Sequence, residues 1–523
     1  MSLVVWLETC VAIGGTATTS ILALKWWSNY QRFKSLQTLP CLKKYLFFGN
    51  ALQLSTAVKQ KKYFQLLYDL ATKFNSTFAY WVGNTPVVIL SDPRVIETTI
   101  VNGMKAGYLV RTKKVQKAWN DISGPILLGQ DGADWQWRRK TWNPEFTSKA
   151  LSKHILILEK VSNDLILKIK QNISSKKVVK VDELFVELTM RVIASLLLGI
   201  PVDQNRVNKE GPPLSIVEAY KAMSVLGYRF LRVATGEKEW MKYLPIKSSF
   251  NYWKSRKYLE KLIVPRVELA LQMRDKSNFD LENIDILFKE SMLVKIAAKQ
   301  PKYDKDSLVA ESLELFLAGT DTTAHSLSFA IAQLGLNSEV YEKAQKIVDR
   351  TWEKYGGINC DSFEELNYIT AIFKETLRLY PVAGATSLEV KHDMKVNEDL
   401  IVPEGGRIYW SLLAAGRNPK FYPEPEKFIP ERWLKKNYLN NFMLTIAFGF
   451  GLHRCLGEHL ALLEGTIVLA MLLRYFNWEL VNNNISLKKL EHNLSIYPPD
   501  GMPVRFTNRD INEVLDKSKN SIY

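Results

Sequence analysis

The sequence predicts a mainly α fold, of the α+β class, with a small β-rich region. Residues 307–337 form one long, largely apolar stretch, and residues 150–300 divide into successive helical segments joined by basic loops. Strands are predicted in Phe78–Leu90, where a run of β-branched and apolar residues precedes a Ser-Asp-Pro turn. A hydrophobic content of 47% supports a sizeable core for this fold.

Charge and cysteine content limit the classes of partner. Lysine and arginine outnumber aspartate and glutamate by 70 to 54 over 523 residues, which gives a formal net charge of +16. The basic residues are scattered, so we expect a basic docking face or a membrane surface and no nucleic-acid arm. The four cysteines stand far apart, at positions 10, 41, 360 and 455, so neither a disulfide framework nor a zinc site is predicted. This cysteine usage fits a reducing compartment.

The N-terminal segment predicts a membrane anchor. Residues 2–24 contain no charged residue except Glu8, and Lys25 and two tryptophans follow directly. About 20 apolar residues span a bilayer, and a basic, aromatic flank faces the cytosol. We therefore expect a transmembrane anchor over residues 1–27. A cleaved signal peptide is the alternative, weakened by the absence of a basic start. A mitochondrial presequence fits less well, because no arginine precedes Arg32.

A tryptophan and an arginine are paired in the segment 132–140. Trp135 and Arg139 are four residues apart, so they share one face of the predicted helix. A guanidinium fork suits a carboxylate partner. The structural alternative is a surface contact between an aromatic ring and a cation.

A polar cluster interrupts the long apolar stretch 307–337. A glycine, an aspartate and three threonines lie between Ala318 and Thr323, where they lower the helix propensity. Threonine hydroxyls also bond to the carbonyl four residues back and bend a helix. We predict a local opening with a polar purpose, and a purely structural kink is the alternative.

An acidic and a basic residue are paired on the next predicted helix, Tyr368–Leu379. Glu375 and Arg378 are three residues apart and can face each other. Most such pairs are exposed and contribute little. A further acidic, basic and aromatic element follows at Phe428–Trp433.

The stretch Phe448–Gly457 is the most informative part of the chain. It contains one cysteine, three glycines and two basic side chains, and a helix is predicted to begin just after Cys455. The apolar face of that helix comprises Leu460, Leu463, Ile467, Ala470 and Met471. Backbone N–H groups and the positive end of a helix dipole both favour a thiolate. Glycines let a flat ligand approach the backbone closely. A thiolate suited to one metal bond is predicted, and a buried loop cysteine is the alternative.

This stretch resembles the haem-binding signature of the cytochrome P450 family. Phe448, Gly451, Cys455 and Gly457 match every fixed position of that signature, and together they would form the haem-binding loop. The segments described above resemble further motifs of the family, in the family's order. The resemblance implies the cytochrome P450 fold, with one large helical domain and a small β-rich region over residues 28–510. A polar tail follows over residues 511–523, and we expect it to be disordered.

The resemblance also implies the residues that hold the cofactor. Cys455 would be the axial iron ligand. A thiolate in that position favours O–O cleavage. Trp135, Arg139 and His453 would contact the haem propionates, although the family usually has arginine at the position of His453. The charge of an imidazole near neutral pH depends on its surroundings. Ala318 implies non-covalent haem b, since an acidic residue occupies this position in fatty-acid ω-hydroxylases that attach haem covalently.

Two further roles follow from the family motif on the long helix. Asp321 and Thr322 would relay protons to dioxygen, and Gly319 would leave room for the oxygen molecule.

A charge network is implied on the haem side of the core, formed by Glu375, Arg378 and Arg432. We expect its loss to prevent haem incorporation rather than to slow the chemistry.

The resemblance gives a weaker indication of the substrate pocket. Its expected lining residues are Ile122, Ile126, Val382, Ala385 and Ile496. Many family members have another propionate-binding arginine within residues 382–390, and this chain has none. Bacterial fatty-acid hydroxylases fused to a reductase also lack it, which favours a long apolar substrate.

The implied activity is that of a haem-thiolate monooxygenase acting on an apolar, lipid-like substrate such as a fatty acid, sterol or terpenoid. Its electrons would come from NADPH through a separate NADPH–cytochrome P450 reductase, with cytochrome b5 as a second donor. We expect the enzyme in the endoplasmic reticulum membrane, with a single span and a cytosolic catalytic domain. The sequence contains no GxGxxG or P-loop motif of its own.

Three alternatives remain at this point. A haem-thiolate isomerase or dehydratase acts without O2, but such members usually lack the threonine of the oxygen motif, which is present here as Thr322. A non-catalytic haem protein would bind haem without forming product. A mitochondrial member would take its electrons from a ferredoxin.

Overall fold

The computed structural model describes residues 23–74, 77–201, 216–234, 237–276, 282, 284–383, 387–434, 447–482, 487–492 and 495–510. The chain divides into two compact units. The first comprises Met1–Val110, Ala385–Phe421 and Phe450–Leu452. The second comprises Arg111–Gly384, Tyr422–Gly449 and His453–Tyr523.

Helices dominate the described part of the chain. Those of eight or more residues are α1 (Ala51–Lys59), α2 (Tyr63–Phe74), α3 (Pro93–Lys105), α4 (Lys113–Ile122), α5 (Gly132–Trp142), α6 (Ile155–Ser174), α7 (Val181–Leu198), α8 (Ile216–Ala234), α9 (Lys247–Asp275), α10 (Met292–Lys299), α11 (Lys305–Leu336), α12 (Ser338–Tyr355), α13 (Asn367–Leu379) and α14 (Glu458–Tyr475). Single helical turns at Ser148–Leu151, Ile286–Lys289 and Leu412–Ala415 connect them.

The strands are short. They are β1 (Phe78–Val82), β2 (Thr85–Leu90), β3 (Leu109–Arg111), β4 (Val179–Lys180), β5 (Ser387–Val390), β6 (Met394–Asn397), β7 (Leu400–Val402), β8 (Arg407–Trp410), β9 (Phe476–Leu480), β10 (Glu491–His492), β11 (Ile496–Tyr497) and β12 (Pro503–Asn508).

The first unit is built on a five-stranded sheet with the order β1-β2-β8-β5-β3. Strands β1 and β2 form the predicted antiparallel hairpin, in which Phe78 pairs with Ile89. After β2, the Asp92 side chain accepts hydrogen bonds from two backbone N–H groups and Pro93 occupies the first turn, so α3 begins there. The chain has a positive φ of 55° at Lys61, and α2 begins only at Tyr63.

The second unit is organised around α11, which confirms the long helix predicted over residues 307–337. Helix α11 packs against α7, α9, α13 and α14. Its N-terminus is capped by Asp304, whose carboxylate accepts a hydrogen bond of 2.8 Å from the Ser307 backbone N–H. Because neighbours surround this helix, apolar residues occur on all its sides rather than on one stripe.

The helix that follows the cysteine also lies in the second unit. The five apolar residues predicted to share its face are all buried. Gly465 on α14 lies against α13, and a Cβ atom at this glycine would be only 2.7 Å from the Phe373 ring. A glycine is therefore needed for the close packing of α13 against α14.

Two expected terminal segments lie largely outside the described residues. The anchor predicted over residues 1–27 has only positions 23–27 within them, where the chain is helical. In the described part of the chain, no helix is both long enough and apolar enough to cross a bilayer. The predicted polar tail, residues 511–523, also lies outside the described ranges.

Two glycines end helices in the same backbone conformation but in different surroundings. Gly199 follows α7 with φ of 60°, and an added Cβ would lie 2.4 Å from Phe288 Cα. Gly356 follows α12 with φ of 74°, and an added Cβ would meet no atom within 4 Å. Gly356→Ala should therefore cost only the left-handed strain, about 1–2 kcal/mol. Gly199→Ala should cost at least twice as much, measured as the loss in thermal stability of the haem-loaded protein. Equal losses for the two variants would contradict the described packing.

Candidate functional site

The cysteine lies in a loop shaped by hydrogen bonding and by glycines. The Cys455 backbone N–H donates to the Phe448 carbonyl over 2.7 Å and closes the loop. Gly449 and Gly451 have φ angles of 85° and 64°, which side-chain-bearing residues rarely adopt. Gly457 has an ordinary φ of −87°, and a Cβ atom there would meet nothing within 4 Å. Neither backbone strain nor packing requires a glycine at 457, so the open space beside it fits the approach of a flat ligand.

The Cys455 side chain is accessible, although protein surrounds it at slightly longer range. Burial raises the pKa of the Cys455 thiol, and Glu458 adds to this effect. The Gly457 backbone N–H, Arg139 and Arg454 oppose the shift without cancelling it. The thiol is therefore neutral at pH 7 unless a cation binds it, since metal binding displaces the thiol proton.

Basic side chains gather on one side of this cysteine. The Arg139 guanidinium on α5 donates to the Arg454 carbonyl over 2.7 Å, which holds α5 against the loop. The Trp135 ring meets the His453 ring edge to face, with 4.6 Å between the ring centroids. His453 Nε2 lies 2.7 Å from Asp131 Oδ1. The structure thus brings Trp135, Arg139 and His453 together beside the cysteine.

The protonation of His453 follows from these contacts. Burial lowers the pKa of His453, and Arg111 and Arg139 lower it further against the opposing effect of Asp131. The neutral imidazole gives its one N–H to Asp131, because a carboxylate only accepts. Nδ1 of His453 is buried without a hydrogen-bond partner among the described residues. His453 would donate to a propionate only as the imidazolium, which carries a second proton on Nδ1.

Arg111 lies beside Asp131 and His453 and was not predicted from the sequence. The Arg111 backbone N–H donates to Asp131 Oδ2 over 2.5 Å. Its side-chain Nε is buried and has no acceptor among the described residues. A buried guanidinium N–H without an acceptor is costly, so this donor fits an anionic ligand such as a propionate. Arg111 has no fixed spacing from Arg139 or His453, and no local pattern marks it.

Helix α11 is continuous through its polar cluster, so the predicted opening is a gap in the packing and not a break in the helix. Every residue from Leu308 to Leu334 is buried except four. The four partly exposed residues are Ala318, Gly319, Asp321 and Thr322. The Thr322 hydroxyl donates to the Ala318 carbonyl over 2.9 Å. An otherwise enclosed helix is therefore partly exposed at the predicted oxygen motif.

Gly319 and Asp321 have distinct surroundings. A Cβ atom at Gly319 would lie 3.2 Å from the Ile193 side chain of α7, so this glycine also allows two helices to pack closely. Its role in leaving room for oxygen stays a prediction. Burial raises the pKa of Asp321, with Asp182 adding to the effect and His325 opposing it. Oδ1 of Asp321 is buried without a partner in the described part of the chain.

The predicted charge network is assembled around one buried carboxylate. The Arg378 guanidinium donates to both oxygens of Glu375, over 2.9 and 2.8 Å. Arg432 Nε donates to Glu375 Oε1 over 3.2 Å, and the Trp433 indole donates to Oε2 over 2.9 Å. The Ile429 backbone N–H adds a fifth hydrogen bond, of 3.0 Å. The indole donor of Trp433 was not predicted.

The expected pocket residues are buried where the structure describes them, and Ala385 lies outside the described residues. The Ile496 backbone N–H donates to the Val382 carbonyl over 2.8 Å, which joins two of them. The loop that contains Ile126 is tied to α11, because Glu314 accepts a hydrogen bond of 2.8 Å from the Leu128 backbone N–H.

Helix α4, which ends at Ile122, is tied to α8 and α9 through a buried carboxylate. Asp121 Oδ2 accepts from Arg229 Nε over 2.7 Å, and Asp121 Oδ1 lies 2.9 Å from Lys242 Nζ. The Tyr252 hydroxyl donates to the Asp121 carbonyl over 2.7 Å. A cavity of about 330 Å³ lies beside this junction, between α8 and α9.

Glu375 and Glu431 provide a matched pair for testing the charge network. Glu375 is fully buried, whereas Glu431 and its partner Lys343 are about half exposed. Glu375→Gln leaves two buried guanidinium groups without a counter-charge, and we expect a loss of about 3–5 kcal/mol. Glu431→Gln should cost about 0–1 kcal/mol. Haem content per purified chain and the thermal unfolding midpoint measure both effects. Full haem content in Glu375→Gln would show that the network does not fix the haem-side core.

Comparisons with known proteins agree with this geometry. The Cytochrome P450 family profile matches residues 39–504. Cytochrome P450 3A13 of Mus musculus is 25% identical over 499 residues, which cover 94% of this chain and 96% of the relative. Cytochrome P450 3A6 of Oryctolagus cuniculus is 25% identical over 514 residues, with coverage of 98% and 99%. Cytochrome P450 9e2 of Blattella germanica is 26% identical over 506 residues, with coverage of 89% and 92%.

The family match includes the loop that contains Cys455, the helix α11 that carries the oxygen motif, and the charge network around Glu375. On that basis the chain belongs to the cytochrome P450 family and is a haem-thiolate monooxygenase.

Proposed function

We propose that this cytochrome P450 inserts one oxygen atom of O2 into an apolar, lipid-like substrate. The second oxygen atom leaves as water, which consumes two electrons and two protons. NADPH supplies the electrons through a separate reductase. The gap in the packing of α11 at Ala318, Gly319, Asp321 and Thr322 is the observation that carries this proposal.

The residues around Cys455 fit a haem b group. The Cys455 sulfur would bind the iron as a thiolate, and the space beside Gly457 would admit the flat ring. Arg111 and Arg139 would bind the propionates, with Trp135 and His453 beside them. When bound, the haem supplies the redox chemistry that cleaves dioxygen.

The chain's own contribution to the chemistry is proton handling at Asp321 and Thr322. Asp321 is a buried acid whose raised pKa lets it hold a proton nearer to neutral pH than an exposed aspartate does. The Thr322 hydroxyl, whose proton now points to the Ala318 carbonyl, can turn to donate into the cavity. The two residues would then pass solvent protons to the reacting oxygen.

An apolar substrate suits the lining of the proposed pocket. The described lining residues are aliphatic: Ile122, Ile126, Val382 and Ile496. Residues 382–390 contain no arginine that would favour an anionic group there. A screen of fatty acids, sterols and terpenoids by their shift of the haem Soret band would identify the class. Failure of all three apolar classes to shift the band would contradict the lipid-like substrate.

The proposed partner is NADPH–cytochrome P450 reductase, with cytochrome b5 as a second donor. The net charge of +16 supports docking of an acidic partner on a basic face. The segment before Lys25, in which Glu8 is the one charged side chain, supports a single anchor in the endoplasmic reticulum membrane, with the catalytic domain in the cytosol. Turnover with reductase that does not change with ionic strength would contradict the electrostatic docking.

Thr322→Ala tests the proton role directly. The variant should bind haem normally but divert electrons from product to hydrogen peroxide or water, because the hydroxyl that delivers protons is missing. We expect product per NADPH to fall by about tenfold or more. The neighbouring buried Thr323 supplies the control, since Thr323→Ala removes a hydroxyl from the same helix outside the partly exposed set. Unchanged coupling in Thr322→Ala would contradict the proposed role.

Arg111→Gln tests the propionate contact that the sequence did not reveal. Loss of a charge-assisted hydrogen bond costs about 1.5–3 kcal/mol, so haem should be released roughly 10–100-fold more readily. Haem transfer to apomyoglobin measures the release. Lys113→Gln, an exposed change two residues away, is the control. Equal haem retention in both variants would remove Arg111 from the site.

A further inference from the structure

A buried polar cluster lies one helical turn beyond the oxygen motif. His325 on α11 is 1% exposed, and its Nδ1 lies 2.8 Å from Asp182 Oδ1 on α7. The Ser328 hydroxyl donates to the same Asp182 oxygen over 2.6 Å. A core helix gains more from an apolar side chain at position 325, so this imidazole needs an explanation.

The contacts determine which ring nitrogen exchanges its proton. Asp182 lies in the first turn of α7, where the helix dipole favours a negative carboxylate. An ionised carboxylate only accepts, so His325 Nδ1 carries a hydrogen directed at Asp182. Nε2 of His325 is therefore the nitrogen that gains and loses a proton.

His325 lies next to Asp321 on the same helix. The two residues are four positions apart, which places their side chains on one face of α11. The charge of His325 lowers the pKa of Asp321, against the effect of burial. Oδ1 of Asp321 is buried and has no hydrogen-bond partner among the described residues, so it is free to receive a proton through a bridging water molecule.

The other groups that face this cluster come from three elements. Asp182 on α7 acts on the pKa of His325 and is the strongest influence after burial. Tyr220 on α8 interacts with both Asp321 and Asp182, and its hydroxyl is neutral because burial raises the pKa of Tyr220. The Tyr497 ring on β11 lies 5.7 Å from the His325 ring and is partly exposed. Within the described part of the chain, the charged groups that act on the pKa of His325 are the Asp182 and Asp321 carboxylates.

We propose that His325, oriented by Asp182 and Ser328, supplies the proton that recharges Asp321 in each turnover. His325 Nε2–H gives its proton to the Asp321 carboxylate, which leaves a neutral imidazole and a carboxylic acid. Asp321 passes this proton on at the Thr322 side and becomes a carboxylate again. Nε2 then takes a new proton from water, and no electrons move in these steps. The inference rests on the proposed role of Asp321 and Thr322.

The direction of the pKa shift at His325 agrees with its proposed role as a proton donor. Burial alone would lower the pKa of His325, but Asp182 and Asp321 outweigh burial and raise it. The imidazole therefore keeps its proton to a higher pH than an unperturbed histidine does, and loses it as the pH rises through the raised pKa. Neutralising Asp182 removes the main cause of the rise, so the pKa of His325 should fall in Asp182→Asn.

The first experiment follows the proton without measuring turnover. Holoenzyme labelled with ¹³C-histidine is reduced, bound to carbon monoxide so that the haem is diamagnetic, and titrated by NMR. The His325 signal is the one missing from His325→Gln. We expect its pKa to lie above the ordinary histidine value of 6.5 in the parent protein, because Asp182 and Asp321 raise it, and to fall in Asp182→Asn. A His325 that stays neutral down to pH 6 in the parent protein would overturn the proposal.

The second experiment follows coupling, the product formed per NADPH, as a function of pH. In the parent protein coupling should decline as His325 loses its proton at alkaline pH, and this decline should move to lower pH in Asp182→Asn. His325→Gln should lower coupling about tenfold or more across the range and remove the pH step. The control His392→Gln alters an exposed histidine in the first unit and should retain the parent profile.

The outcomes separate this inference from the function it rests on. If Thr322→Ala uncouples turnover and His325→Gln does not, the His325 relay is wrong and the proposed function stands. If neither variant uncouples turnover, the proposed role of Asp321 and Thr322 fails as well. A merely structural His325 would lower haem content or stability in His325→Gln while leaving the pH step of coupling in place, and that result also overturns the relay.

Discussion

The surroundings of Cys455 disfavour the negatively charged thiolate form of its side chain, and the chemistry of the site depends on this constraint. Burial outweighs the Gly457 N–H group and the nearby guanidinium groups, so the pKa of the thiol rises. A thiolate becomes stable there only with a bound cation. The hydrogen bond from the Cys455 backbone N–H to the Phe448 carbonyl closes the loop that carries this sulfur. This raised pKa supports the proposal that Cys455 binds a metal centre.

Buried polar groups with hydrogen-bond partners also occur elsewhere in the second unit. Glu375 receives five hydrogen bonds in a fully buried position, and Asp182 receives two. Buried charges without partners are expensive, so each of these clusters fixes the elements that it joins. Helix α11 meets the second cluster directly and packs against α13, which carries the first. Both clusters therefore support the helix that carries the gap in packing.

Features set by local spacing could be predicted from the sequence. The β1–β2 hairpin, the length of α11, the buried face of α14 and the meeting of Glu375 with Arg378 all depend on residues a few positions apart. The approach of Arg432 needed the family motif, since 57 positions separate it from Glu375. Arg111 and the pairing of His325 with Asp182 were missed. The latter pair spans 143 positions, and only the tertiary fold brings the two side chains together.

The central claim is that Cys455 binds haem iron through sulfur. The most direct test is the absorption spectrum of the purified, reduced protein after addition of carbon monoxide. A thiolate ligand predicts a Soret band shifted to the red of that given by a histidine-ligated haem, and its loss in Cys455→Ala. A folded, haem-replete sample without that red-shifted band, or a band that persists in Cys455→Ala, would contradict the account.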